Sequence, residues 1–192
     1  MRILSFRLLL ILLYLPKLVL ADELKVAVAS NFISTMRVIA SEFESQTSHR
    51  LLLSSGSSGK HYAQIKHGAP FDVFFSADSS RVKRLEQEGN GVDNTRFTYA
   101  YGRLVLWGEK FEKRDGVEDQ LWFDSAKRIA VANPRLAPYG LAAEQVLQSL
   151  GVYEKNKSKL VFGENINQAY QFVRSANAVS YTHLTLPTIY SV

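Results

Sequence analysis

Apolar positions along the chain follow two alternating rhythms, short near-continuous runs and longer stretches that repeat at helical spacing. Residues 24–29 predict a buried strand, and in 34–45 the apolar positions Met36, Ile39, Ala40 and Phe43 predict a helix. Residues 50–54 form the next strand, 61–67 a helix ended by Gly68 and Pro70, 71–75 a strand apolar on both faces, and 78–88 a third helix. The heavily apolar stretch 97–107 reads as strand-like, as if the chain were crossing into a second sheet. The same grammar then recurs: strand 128–132, a turn-rich loop 133–140, helix 141–150, strand 159–162 and helix 165–175. Strands alternating with helices indicate parallel sheets covered on both faces, whose ligands bind beyond the C-terminal strand ends. The fold class is α/β, with two similar lobes over 22–101 and 102–178 that enclose a ligand by closing about a hinge.

Two strand ends carry candidate chemistry. Val26-Ala27-Val28-Ala29 runs into Ser30-Asn31, and Leu51-Leu52-Leu53 runs into Ser54-Ser55-Gly56-Ser57-Ser58-Gly59. The first N–H groups of a helix have no partner within it and carry the positive end of its dipole, so an oxyanion docks there without a charged side chain. Serine adds a hydroxyl donor. The alternative for the second stretch is a flexible Gly/Ser linker, but too few residues precede it to make a separate domain. For Ser30 the plainer role is a helix cap, and for Ser58 a turn residue.

Composition narrows the picture. Residues 1–21 have a basic start, an apolar run and a small-residue end before Asp22-Glu23, which predicts a secretory signal peptide cleaved after Ala21. Lys17 keeps the apolar run too short to span a bilayer. Three of the 23 basic residues (Arg2, Arg7, Lys17) lie in this leader, leaving 20 against 18 acidic and a mature charge of +2. With no basic stripe, nucleic acid is not an expected partner. Cysteine is absent, which excludes disulfides, thiolate metal sites and a lipid-modified cysteine, and points to free residence in a periplasm. His49, His61, His67 and His183 are too scattered for a metal cluster. Residues 179–192 change character abruptly, with no Gly and no charged side chain apart from His183. They resemble translated sequencing-adapter read-through, so the natural sequence is expected to end near Ala178; the alternative is a last β-strand.

Read together, Ala29-Ser30, the Ser57-Ser58 loop with Gln64-Ile65, the run Gly68-Ala69-Pro70-Phe71-Asp72-Val73-Phe74-Phe75-Ser76-Ala77-Asp78, the loop from Asn133-Pro134 to Ala137-Pro138-Tyr139-Gly140, and Gly163-Glu164-Asn165-Ile166 resemble the periplasmic molybdate-binding proteins of ABC-type uptake systems. The resemblance implies a two-lobe periplasmic-binding-protein-like fold (type II), incomplete here at the C-terminus. It implies a monomeric binding protein rather than an enzyme, which captures molybdate, and tungstate as well, and delivers it to an inner-membrane ABC permease. No cofactor is implied; molybdenum enters only as the bound oxyanion. By position, the resemblance implies ligand contacts from the hydroxyls of Ser30 and Ser58 and the backbone amides of Tyr139 and Ile166. Many members add a tyrosine hydroxyl further on, a role not given to Tyr181 because it lies in the foreign-looking segment.

Molybdate is a fully deprotonated dianion at neutral pH, so a site for it needs donors only. Phosphate usually keeps a proton and favours an acceptor carboxylate, which neither serine loop places beside its serines. Sulfate would have to be excluded by size. The alternatives are therefore a binding protein for another oxyanion, such as sulfate or phosphate, and an exported serine hydrolase built on Ser58, His61 or His67, and Asp72. The hydrolase reading lacks the G-x-S-x-G elbow, and Gly56 to His61 also lacks the phosphate-loop spacing. Asp72 and Asp78 read as structural groups or hinge residues.

Overall fold

The computed structural model describes residues 22–106, 126–175 and 179–180. The leader expected over 1–21 and residues 181–192 of the expected tail lie outside the described residues. The first lobe contains β1 (Glu23–Ala29), a 3-10 turn (Ser30–Phe32), α1 (Ile33–Gln46), β2 (Arg50–Gly56), α2 (Ser58–Lys66), β3 (Val73–Phe75) and α3 (Ser79–Gln87). The second contains β4 (Ile129–Ala132), α4 (Pro138–Ser149), α5 (Tyr153–Asn156), a 3-10 turn (Lys157–Lys159), β5 (Leu160–Gly163), α6 (Ile166–Arg174) and β6 (Val179–Ser180).

Both sheets are parallel and have the same order, with the first strand of each lobe in the middle: β2-β1-β3 and β5-β4-β6. A central strand must bury both faces, and its side chains alternate with period two. On β4, Ile129 and Val131 pack with Ala143 and Leu147 of α4, while Ala130 and Ala132 meet Ile166, Ala169 and Val173 of α6. On β1, Val26 and Val28 pack with Phe32, Ile33 and Met36, and the small Ala27 and Ala29, which alternate with them, are buried too. Each fully buried Val, Ile or Leu contributes roughly 1.5–3 kcal/mol relative to exposure, so the two central strands anchor their lobes.

Several sequence expectations shift. The buried stripe of α1 is Ile33, Met36 and Ala40, whereas Ile39 is 43% exposed and Phe43 half-buried; the helix leans on the sheet by its first turns. Residues 97–106 form no strand among the described residues. The stretch packs by side chain instead: Tyr99 lies on Phe32 and Phe75, with ring centroids 5.0 and 5.3 Å away, and donates to the Ser76 carbonyl at 3.0 Å, while Phe97 and Tyr101 point to solvent. Leu106 already packs against the second core, so the chain changes lobes between Tyr99 and Leu106. Val179 and Ser180, assigned above to a foreign-looking segment, pair in parallel with Ile129 and Ala130.

A cavity at four helix N-termini

The sheets place the C-terminal ends of β1, β2, β4 and β5 where the next element begins. Ser30 opens the 3-10 turn after β1, Ser58 is the first residue of α2 after β2, Tyr139 is the second of α4, and Ile166 is the first of α6 after β5. All four residues line one small cavity, together with Ala29, Asn31, Ser57, Ala77, Ala137 and Pro138. Its volume is about 10 Å3, on a scale where one water needs about 10–15 Å3, so its centre has room for one compact group.

Local sequence explains each approach. Ser57 caps α2 by accepting from the Lys60 N–H at 3.4 Å, which starts that helix three residues earlier than the apolar pattern predicts. Asn165 caps α6 in the same way, accepting from the Gln168 N–H at 3.1 Å. Pro138 sits at the first position of α4, where its missing N–H costs nothing, and draws the helix start back from residue 141. Gly140 then lets α4 touch the end of β4, since a Cβ there would lie 2.2 Å from the Ala132 carbonyl oxygen.

The two serines differ. Ser58 is fully buried, and its hydroxyl oxygen accepts from the Ala77 N–H at 2.9 Å, which leaves its own O–H free to donate. Ser30 is 4% exposed, and its hydroxyl caps no helix. The amides of Tyr139 and Ile166 lie in first turns, where the helix offers no acceptor. No side chain lining this cavity is charged. It is a wall of neutral donors at the positive ends of four helical segments, an arrangement that stabilises an anion.

Sequence reasoning missed Asn31, which lines the cavity and bonds through its side chain to Tyr139 across the cleft. Its place directly after Ser30 at a strand end was the available signal. Burial raises the Tyr139 phenol above its ordinary value against the opposing pull of Asn31, and Tyr99 is pushed up to about 12, so both stay protonated donors at neutral pH. A larger cavity of about 170 Å3 adjoins the first and shares Asn31, Ala77, Pro138 and Tyr139 with it.

His61 and Asp72 of the hydrolase reading are engaged elsewhere. The His61 ring is held within its own lobe, with Nδ1 3.0 Å from the Gln64 side-chain amide and Nε2 3.3 Å from the Val28 carbonyl, which can only accept, and Asp72 accepts from the Lys25 N–H at 2.7 Å. Asp78 caps α3, accepting from the Arg81 N–H at 2.9 Å. Among the described residues, no group of three or more His, Asp or Glu is placed to hold a metal ion, and no helix is long and apolar enough to cross a membrane.

Two α/β lobes meeting at a cavity of helix N-termini define the solute-binding class of protein. A family model described as bacterial extracellular solute-binding protein matches residues 24–182, and the chain belongs to that family. The chain is 49% identical over 158 residues to the molybdate-binding protein ModA of Azotobacter vinelandii, covering 82% of this chain and 63% of that protein. It is 45% identical to ModA of Rhodobacter capsulatus, covering 82% of this chain and 62% of that one. The chain thus spans less than two thirds of the length of these relatives. Among solved structures, the Azotobacter vinelandii periplasmic molybdate-binding protein superposes with a TM-score of 0.78 at 41% identity, covering 83% of this chain and 70% of that one.

Proposed function

We propose that the chain captures molybdate, and tungstate with it, as the periplasmic receptor of an ABC-type uptake system and passes the oxyanion to an inner-membrane permease. The observation that carries this reading is the convergence of Ser30, Ser58, Tyr139 and Ile166 on one cavity without a charged side chain. The names of the relatives at 45–49% identity support the choice of anion. In this reading the Ser30 and Ser58 hydroxyls and the Tyr139 and Ile166 amides hold the four oxygens, and no side chain accepts a proton from the ligand. A dianion that carries no proton suits such a site, which has no carboxylate to accept the O–H of hydrogen phosphate. Hydrogen bonds to a charged ligand contribute roughly 1.5–3 kcal/mol each, so four of them outweigh an association cost of several kcal/mol. The protein acts as a binding monomer, not an enzyme, and needs no cofactor.

Thermal unfolding of the full chain with added oxyanions tests this. A ligand that binds only the folded state stabilises it by about 2.7 kcal/mol at a hundred times its Kd. Molybdate and tungstate are expected to raise Tm while equal sulfate and phosphate leave it unchanged. An equal rise with sulfate would favour the other-oxyanion reading, and no rise with any oxyanion would sink the proposal.

A further inference from the structure

Three consecutive residues at the start of α2 meet three different things. Ser58 lines the cavity. The Gly59 N–H crosses to the second lobe and donates to the Leu136 carbonyl at 2.8 Å. Lys60 Nζ reaches Glu164 Oε1 at 3.1 Å, two residues before Ile166.

Gly59 stands in an ordinary right-handed helix; among the described residues the glycines with positive φ are Gly68, Gly89 and Gly151. Conformation does not call for glycine at 59, and helix propensity disfavours it there. Space does call for it. A Cβ would lie 2.7 Å from the Leu136 oxygen and 3.1 Å from the Leu136 Cα, backbone atoms that have no rotamer to move into. Leu136 itself is fixed in a tight turn, with its N–H bonded to the Asn133 carbonyl at 3.0 Å and that of Ala137 to the same oxygen at 2.8 Å. This turn leads directly into Ala137, Pro138 and Tyr139, the second lobe's wall of the cavity.

We infer that Gly59 is the closure contact of the cleft, a positioning residue whose missing side chain lets the loop carrying Tyr139 settle against the helix carrying Ser58. The donors of both lobes then reach one ligand together. The inference rests on the anion-capture reading. It predicts effects of opposite sign in the free and loaded protein, because alanine at 59 favours the helix of the free chain and obstructs only the final approach of the lobes.

The test compares the wild-type full chain with Gly59→Ala and Gly59→Val, measuring thermal melts without ligand and the kinetics of molybdate binding. For Gly59→Ala, the free chain should melt at or above the wild-type temperature and the dissociation rate should rise. The Kd should weaken by about tenfold or more, equivalent to the loss of one hydrogen bond to a charged ligand. Gly59→Val should bind more weakly still. Wild-type affinity in Gly59→Ala overturns the inference, as does a lower melting temperature of its free chain, which would place the glycine in the service of its own lobe. A wild-type chain that binds no oxyanion brings down the capture reading and this inference with it, whereas binding by wild type and Gly59→Ala alike removes the inference alone.

Discussion

Ser58 and Ser30 occupy similar places at strand ends, yet their hydroxyls stand in different circumstances. Ser58 Oγ accepts from the Ala77 N–H, whereas the Ser30 hydroxyl caps nothing. Ser58→Ala therefore leaves a part-buried N–H without its acceptor, and should lower free-chain stability by about 0.5–1.5 kcal/mol as well as weaken anion binding. Ser30→Ala should weaken binding by about tenfold to a hundredfold with the free-chain melt unchanged. Melts and titrations of the two variants check this, and equal effects on stability would contradict the assignment. Both serines were legible in the sequence because small hydroxyl residues punctuate apolar runs. Asn31 was not, because one asparagine at a strand end looks the same whether it faces solvent or reaches across a cleft to Tyr139.

Among the elements, α2 is tied to the sheet by a buried histidine. The His61 ring bonds to the Val28 carbonyl and to Gln64, and meets Phe71 and Phe74 edge-on at 5.6 and 6.0 Å. Burial holds its pKa below the ordinary 6.5, aided by Lys60 and opposed by the Gln64 and Val28 bonds and by Glu164. A folded-state pKa below that of the unfolded chain means the contribution is complete above pH 6.5 and is lost as pH falls toward the folded value. The stability difference between wild type and His61→Gln, measured by denaturant titration, should therefore narrow from pH 7.5 to pH 5.5, roughly one unit either side of the ordinary value. A constant difference would show that the ring is not neutral in the fold. Element types followed from periodicity, but boundaries did not, because caps such as Ser57 and Pro138 decide where helices begin. Residues 97–106 misled for a different reason: a heavily apolar run looks strand-like but says nothing of a partner strand, and Tyr99 found an aromatic cluster instead.

At the scale of the whole molecule, the two lobes repeat one strand order and, among the described residues, meet through groups that include Gly59 with Leu136, Lys60 with Glu164, Arg81 with the Arg135 carbonyl at 3.3 Å, and Asn31 with Tyr139. The Lys60–Glu164 pair is half exposed, with side chains 52% and 44% accessible, and such pairs contribute at most about 1 kcal/mol. Lys60→Met should weaken molybdate binding by no more than about fivefold, and the difference should shrink as salt screens the pair. Titrations at two ionic strengths decide this; a larger, salt-insensitive loss would place Lys60 against the ligand itself. The repeat of two α/β units was readable from the alternation of strands and helices. The fit between the lobes was not, because it depends on a carbonyl that only the folded backbone brings to Gly59.

The uncharged lining of the cavity has a last consequence. None of the side chains that line it gains or loses a proton near neutrality. If the cavity holds an anion as proposed, acidity is a poor lever for unloading it, and release should follow from the two lobes moving apart.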